Sequence, residues 1–480
     1  MKTICKCASL FVICCGTGSS AWAGGTDAPA PTQAATTQQE LLDEVRALRA
    51  EVKELRAKVS QSRPATQPAL PPRIAPAPAG TNPQETIDQL RRDADRRSTF
   101  ADVEGLTAGY RRNTGFFIGS EDGNFLLHPW AFVQVRNATN YRERATATEG
   151  DTQNGFELPR MKFILDGNVF SPDLTFQFIW ATSDTTGNLG LQDAWGRYHL
   201  PNTPFALRAG QIRDPVDHEQ ITYATRSLTP GRSIVNNVLL NGDDIVKGAS
   251  ISYGFDANNP FRTEIAITSG ERNFDTTFQQ FPTNPADWGA AGRFEFKLMG
   301  DWSDYTQFTA LGNKQPLLVL GGGFDYTGAG DTGQFTHVAD IQYTLPNNLS
   351  LYGAYLGRYV SHNGGNPLTN GGFTGPGPSA NTYDASFRLL ASYLIEDHWE
   401  PFARFEWIEF DSRELSAGTQ HVVYDLTLGF NYYFYGHRAK FSGAATYLPN
   451  GSPVSSTIDD VLSSHGGNEV IIQAQFQLIF

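Results

Sequence analysis

From about residue 116 onward the chain alternates between apolar and polar positions with a period of two, as β-strands with one apolar face do. The last segment shows this best, because every second residue from Val470 to Phe480 is apolar and the intervening positions are mostly glutamine. Sixteen such segments follow one another, with Gly- and Asn-rich breaks between them. Repeated short strands of this kind predict an all-β fold, a 16-stranded antiparallel transmembrane β-barrel. The predicted strands are 130–142, 156–170, 173–183, 190–200, 204–213, 246–256, 260–269, 288–299, 315–326, 334–345, 349–360, 383–395, 399–411, 420–435, 438–448 and 469–480.

The connections between these strands alternate in length. Those after strands two, four, six, ten, twelve and fourteen are tight, whereas 214–245, 270–287, 361–382 and 449–468 are long. Short periplasmic turns and long external loops are typical of outer-membrane barrels. The connection 300–314 is an exception, because it is long for a periplasmic turn.

Charged residues predict which face of each strand lines the lumen. A charge facing lipid costs about 2–4 kcal/mol at the bilayer midplane, whereas a charge in the lumen can stay hydrated. In 288–299, for example, Arg293, Glu295 and Lys297 share one face and apolar residues occupy the other. The lumen is therefore expected to be polar. The candidates for lining the pore and binding anions are Arg136, Arg160, Lys162, Arg197, Arg208, Arg213, Arg293, Lys297, Arg388 and Arg404.

The segment 214–245 is the third external loop on this count. In porins this loop commonly folds inward and narrows the channel, and opposed charges at such a constriction produce an ion preference. The alternative is a solvated loop whose charges only keep it soluble. The candidates for the constriction are Asp217, Glu219, Arg226, Arg232, Asp243 and Asp244.

The first 115 residues have a different organisation. Residues 1–23 are predicted to be a removable signal peptide, with Lys2 and Lys6 before a short apolar run and a small-x-small cleavage site at its end. A low-complexity spacer, 24–37, precedes an a/d pattern of Val and Leu that predicts a coiled coil over 38–60. This helix either associates between chains or stays a single solvated helix. A Pro/Ala-rich linker and lead-in, 61–115, connects it to the barrel domain, 116–480.

Composition and charge exclude other classes of function. The mean hydropathy is −0.35 and no long apolar stretch follows the signal, which excludes a helical membrane protein. The net charge of −13 argues against nucleic acid as a partner. All 4 cysteines lie in the predicted signal peptide, and the 9 histidines are scattered with no metal-ligand spacing or hydrolase motif. We therefore expect no enzyme activity, no cofactor and no metal.

Three stretches carry a resemblance to a known family, and their order and spacing agree with it. They are 156–162 (FELPRMK), 191–195 (LQDAW) and 207–215 (LRAGQIRDP), and the likeness continues through Arg226-Ser227-Leu228. On these motifs the chain resembles the phosphate-selective porin O/P family over residues 116–480. The resemblance implies a sixteen-strand, typically trimeric barrel that admits anions along an arginine- and lysine-lined path.

The sequence departs from that family where selectivity is decided. Lysine is scarce in the barrel region, and a dense lysine cluster able to strip water from phosphate is not visible. The only lysines there are Lys162, Lys247, Lys297, Lys314 and Lys440. Phosphate selectivity is therefore not carried over from the resemblance.

Together these patterns predict an outer-membrane porin that allows passive diffusion of small hydrophilic solutes or ions. Whether it prefers phosphate-like anions stays open. Its expected partners are outer-membrane lipid, two further copies in a homotrimer and, through a coiled coil in the periplasm, the cell wall. The alternative function is an outer-membrane anchor tethered to the cell wall by that coiled coil.

Overall fold

The protein is described here from a computed structural model. The structure describes residues 105–111, 115–143, 151–183, 186–240, 245–255, 258–270, 288–329, 332–346, 348–362, 381–413, 415, 420–456, 459–462 and 467–480. The predicted signal peptide, spacer and coiled coil lie outside these residues, as does the linker 61–115 up to residue 104.

The described chain is almost entirely β-strand. A short hairpin, β1 (Leu106–Arg111) and β2 (Gly115–Ser120), precedes the barrel and pairs through β2 with the start of the first barrel strand. The sixteen barrel strands are β3 (Leu126–Arg142), β4 (Thr152–Asn168), β5 (Leu174–Thr182), β6 (Leu189–His199), β7 (Phe205–Arg213), β8 (Ile245–Tyr253), β9 (Phe261–Thr268), β10 (Trp288–Met299), β11 (Leu317–Ala329), β12 (Thr332–Thr344), β13 (Leu349–His362), β14 (Thr382–Tyr393), β15 (Trp399–Glu409), β16 (Val422–Tyr433), β17 (Ala439–Leu448) and β18 (Glu469–Ile479).

Each barrel strand pairs antiparallel with the next, and the last pairs with the first. The closing pair β18–β3 runs from Glu469 opposite Arg142 to Ile479 opposite Phe132. This closure leaves no unpaired edge among the sixteen barrel strands, which a sheet surrounded by lipid requires. The predicted 16-stranded antiparallel barrel is confirmed.

The alternation of side chains places polar groups inside and apolar groups outside. In β18, Gln473, Gln475 and Gln477 are buried, whereas Ile472 and Phe476 are exposed on the outer surface. Most large apolar side chains exposed on the other barrel strands also point outward, at about every second position. A soluble protein would bury these side chains, so this inverted arrangement belongs to a barrel that lipid surrounds.

The strand boundaries follow the predicted ones closely, and β10 coincides with its prediction. The larger differences occur where alternation is lost. β4 begins at Thr152, four residues before the predicted start, because both faces are exposed from Thr152 to Phe156. β1 lies within the predicted linker and was not expected. Its side chains are exposed on both faces at most positions, so no periodic pattern marks it.

Four short helices lie in the parts of the connections that the structure describes. They are α1 (His218–Ile221), a 3-10 helix (Ala224–Arg226), α2 (Ile234–Leu239) and a second 3-10 helix (Asp304–Thr306). Among the described residues, no helix is both long and apolar enough to span a membrane. The connection between β7 and β8 contains three of these helices, and it packs inside the barrel rather than above it.

Candidate channel constriction

The connection 214–240, named L3 here, leaves the end of β7 and crosses the lumen. Near its start L3 contacts the opposite wall, where Arg388 of β14 is only 3% exposed. The two Nη groups of Arg388 donate to Asp217 and to Oε2 of Glu219, the latter at 2.8 Å. Nη1 also donates to the hydroxyl of Ser233 at 3.1 Å. The guanidinium of Arg388 therefore binds L3 at two places, at Asp217 and Glu219 near its start and at Ser233 before its last helix.

The contact with Arg388, called the Arg388 clamp below, affects the pKa of Glu219. Burial alone would raise the pKa of Glu219, but the charge of Arg388 and hydrogen bonds from Ser233 lower it below its ordinary value. The Ser233 N–H and hydroxyl both donate to this carboxylate. Glu219 is therefore charged at neutral pH and contributes to fixing the loop.

The middle of L3 is held by side chains that reach inward from four strands and donate to its backbone carbonyls. Such bonds satisfy the polar backbone of an irregular segment that water cannot reach. The donors are Gln477 to Thr225 at 3.0 Å, Lys440 to Ser227 at 2.5 Å, Asn431 to Leu228 at 2.9 Å and Arg160 to Pro230 at 3.5 Å. These donors come from β18, β17, β16 and β4. The middle of L3 is therefore anchored to one continuous arc of the barrel wall, from β16 through β18 to β4.

The end of L3 is fixed by α2. The hydroxyl of Ser233 caps this helix, and Glu406 of β15 accepts from the N–H groups of Ile234 and Val235, each at 3.2 Å. Val235, Val238 and Leu239 pack with inward apolar residues of β12, β13 and the loop after β17. The sequence S-I-V-N-N-V-L-L is unusually apolar for a solvated loop, and this burial explains it.

A second segment, 300–316 between β10 and β11, enters from the opposite rim. The ring of Tyr305 stacks on His218 of L3, with centroids 3.8 Å apart and planes 9° apart. Arg226 donates to Thr306 at 2.7 Å, which joins the two segments again. Burial first, and the charge of Arg293 second, lower the pKa of His218 to about 3. The ring is therefore neutral at neutral pH.

The part of the lumen beside L3 contains a cavity. A cavity of about 380 Å³ lies between L3 and the wall formed by β5 to β10. Its lining includes five arginines, four of which were predicted to line a pore. They are Arg197, Arg208, Arg213, Arg262 and Arg293, of which Arg262 was not predicted. Trp195, Tyr223 and Phe255 contribute aromatic surface to the same cavity.

Three of these arginines pair with three carboxylates. Arg213 is 3.5 Å from Asp193, and Arg262 pairs with Glu295. Arg293 is 2.8 Å from Asp340 and 2.6 Å from Glu295. The other two share one carboxylate. Glu264 is 2.7 Å from Arg208 and 4.0 Å from Arg197, which lies directly across the β6–β7 pair from Arg208. Five guanidiniums thus face four carboxylates in the described residues, an excess of one positive charge.

The other predicted site residues that the structure describes lie elsewhere in the lumen. Arg136 pairs with Glu157 and Asp460, and Arg404 pairs with Glu406 and Asp425. Arg232 donates to carbonyls within L3 itself. Lys162 is buried on the inner face of β4, and Lys297 lies 5.3 Å from the ring of Trp302. Asp243 and Asp244 lie outside the described residues.

Sequence reasoning missed Arg262, Trp195 and the carboxylates that pair with the arginines of the cavity. Arg262 and Glu264 are two residues apart on β9. The alternation of inward and outward positions that placed the other arginines in the lumen therefore applies to both. The inward position of 300–316 had only one signal, its unusual length for a periplasmic turn. Nothing in its composition indicates which groups on the far wall it would contact.

No family model matches the sequence, and no curated protein matches it either. Among solved structures, an anion-selective porin from Comamonas acidovorans aligns at 12% identity with a TM-score of 0.48, over 74% of this chain and 99% of that one. The OmpF porin of Salmonella typhi in complex with daunomycin aligns at 10% identity and 0.48, over 74% and 99%. OprB of Pseudomonas putida aligns at 9% identity and 0.47, over 73% and 94%.

Proposed function

We propose that the protein is an outer-membrane porin that lets small hydrophilic solutes and ions diffuse passively across the membrane, with a preference for anions. The observation that carries this proposal is the inward loop L3. Ion pairs and hydrogen bonds hold it across the closed barrel, and an arginine-lined cavity lies between it and the wall. A passive pore needs only its width, its constriction and its fixed charge. Each of these is formed here by named side chains.

The anion preference rests on local rather than total charge. The chain as a whole carries a net charge of −13, but the five arginines that line the cavity outnumber by one the four carboxylates that pair with them in the described residues. Selectivity follows the charges nearest the narrowest point, where low-dielectric walls strengthen their field. The preference is therefore expected to follow the arginines of the cavity. Phosphate selectivity, which the resembled family implies, is not part of this proposal.

The proposal includes the outer membrane as location and a homotrimer as assembly. The apolar outer surface of the barrel supports contact with lipid, and the resembled family supports the trimer. Chemical cross-linking of the folded protein in detergent tests the assembly. A dominant species of three chains is expected, and a monomer at all protein concentrations would contradict the trimer.

Single-channel recording in planar bilayers tests the channel itself. The purified protein is expected to insert and to give stable current steps in KCl. Substitution of Arg208 by glutamine should reduce the preference for anions, because it removes one of the two guanidiniums that share Glu264. The matched control is Arg438→Gln, which removes a positive charge at the periplasmic rim, where Arg438 contacts Tyr110. Loss of anion preference in the control alone would contradict the proposed path.

A specific observation favours a second candidate function. Three segments fill much of the lumen: L3, residues 300–316 and the described part of the loop after β17, whose Val454 and Val461 pack on α2. A barrel filled in this way could serve as an anchor, with the predicted coiled coil as its tether to the cell wall. A folded protein that gives no current and sediments with purified peptidoglycan would favour the anchor.

A further inference from the structure

We propose that the cavity beside L3 contains a binding subsite for a monocarboxylate that carries an aromatic ring, with Arg197 and Arg208 as the carboxylate-binding residues. The inference deepens the proposed function, since it names a class of solute for the cavity that lies in the proposed path. The inference rests on the proposed function in one respect, because the solute must enter the lumen to reach this cavity.

The first argument is the uncompensated charge at one place. Arg197 and Arg208 face each other across neighbouring strands, an arrangement that is destabilising for like charges unless an anion lies between them. Glu264 is the one carboxylate within 4.0 Å of either guanidinium in the described residues. The single excess positive charge of the cavity is therefore located at this pair.

The second argument is unused hydrogen-bonding capacity. The Nε–H groups of Arg197 and Arg208 are both buried and have no hydrogen-bond partner among the described residues. A buried donor without a partner is costly, so such groups commonly mark a site that a ligand or water completes. Guanidinium groups bind carboxylates in two-pronged geometry, which suits a planar anion.

The third argument concerns the walls around the pair. The guanidinium carbons of Arg197 and Arg208 lie 5.2 and 5.7 Å from the ring centroid of Trp195. Phe255 approaches Arg197 from another side at 5.7 Å. The aromatic surface beside the charge provides stacking for a flat ring, which a small multivalent anion without a ring cannot use.

The size and the charge of the site together select the class of ligand. A cavity of about 380 Å³ falls within the usual range for small-molecule sites, about 300–1,000 Å³. One excess positive charge neutralises a monoanion and leaves a dianion under-compensated. An aromatic monocarboxylate matches both the charge and the apolar wall, whereas inorganic phosphate matches only the anionic character.

The experiment is equilibrium binding of benzoate to the folded full-length protein in detergent, measured by titration calorimetry. Acetate, benzyl alcohol and inorganic phosphate serve as comparison ligands. Benzoate is expected to bind roughly 10-fold or more tightly than acetate, which lacks the aromatic ring, and than benzyl alcohol, which lacks the carboxylate. Phosphate should not displace it. Equal affinity for benzoate and acetate, or displacement by equimolar phosphate, would overturn the inference in favour of a general anion site.

Two variants make the assignment specific. Arg208→Gln should weaken benzoate binding roughly 10-fold or more, because it removes a charge-assisted contact. Glu264→Gln should strengthen benzoate binding and let phosphate compete, because the excess charge rises from one to two. Arg438→Gln, far from the cavity, should bind benzoate like the wild type. If Arg208→Gln does not fold, the gain in Glu264→Gln and the ligand preference of the wild type decide the question.

Binding and conduction can fail independently. Binding of benzoate by a protein that conducts no ions would leave the subsite in place and remove the proposed channel. Conduction by a folded protein that binds no benzoate would overturn the subsite and leave the channel intact.

Discussion

Replacement of Arg388 by glutamine should release L3 from the barrel wall. The guanidinium makes two charge-assisted contacts, with Asp217 and Glu219, and hydrogen bonds to Ser233 and to Tyr352 at 3.1 Å. Its loss leaves two buried carboxylates without their cation. Breaking a buried ion pair by removing one partner costs about 3–5 kcal/mol. Each 1.4 kcal/mol changes an equilibrium tenfold, so the released state of L3 should gain roughly 100-fold to several thousand-fold in population.

The release can be measured by current and by proteolysis. The single-channel conductance of Arg388→Gln should rise above that of the wild type, because L3 crosses the lumen. Trypsin should cut L3 after Arg226 or Arg232 in the variant but not in the wild type, where Arg232 is 2% exposed. The control carries Asp217→Asn and Glu219→Gln together with Arg388→Gln. It removes the uncompensated charges and should recover part of the loop's resistance. Wild-type conductance and wild-type resistance to trypsin in Arg388→Gln would refute the Arg388 clamp.

Three further predictions concern packing, pH and the lipid face. A Cβ at Gly323 would lie 1.9 Å from the carbonyl oxygen of Val216, so Gly323→Ala should displace L3 and raise conductance, whereas Gly322→Ala, with its nearest atom at 3.5 Å, should not. Burial raises the pKa of Asp459 to about 6, so protonation of this residue favours the folded protein. The free energy of unfolding should therefore fall as the pH rises from about 4 to 6. Asp459→Asn should remove this pH dependence from the thermal unfolding curve, and an unchanged slope would contradict it. Leu428→Arg, on the exposed outer face of β16, should lower the free energy of unfolding by about 2–4 kcal/mol in bilayers, and a change below ~0.5 kcal/mol would argue against contact with lipid.

The barrel could be predicted from the sequence because each strand carries its own local signal. The positions of Arg293, Glu295 and Phe294 in β10 show which face is the lumen without any knowledge of the neighbouring strands. The inward direction of L3 could be expected only by analogy with porins. What holds it is a set of contacts between residues far apart in sequence, such as Arg388 with Asp217, 171 positions apart.

The pairing within the cavity was also beyond the sequence. The alternation of inward and outward positions identified Arg197 and Arg208 as lumen residues. It could not predict that the two would share Glu264. That result depends on the register of four consecutive strands, β6 to β9, and on the side-chain directions in the closed barrel. The inward fold of 300–316 likewise depends on a stacking contact with His218 that no local pattern indicates.

The reversal potential of the purified protein in a KCl gradient across a planar bilayer tests the central proposal most directly. If solutes pass the arginine-lined cavity beside L3, the potential should show selectivity for chloride, and Arg208→Gln should move it toward zero. A cation-selective potential would mean that the acidic excess of the chain governs the path, and the absence of current from a folded protein would mean that the barrel is closed.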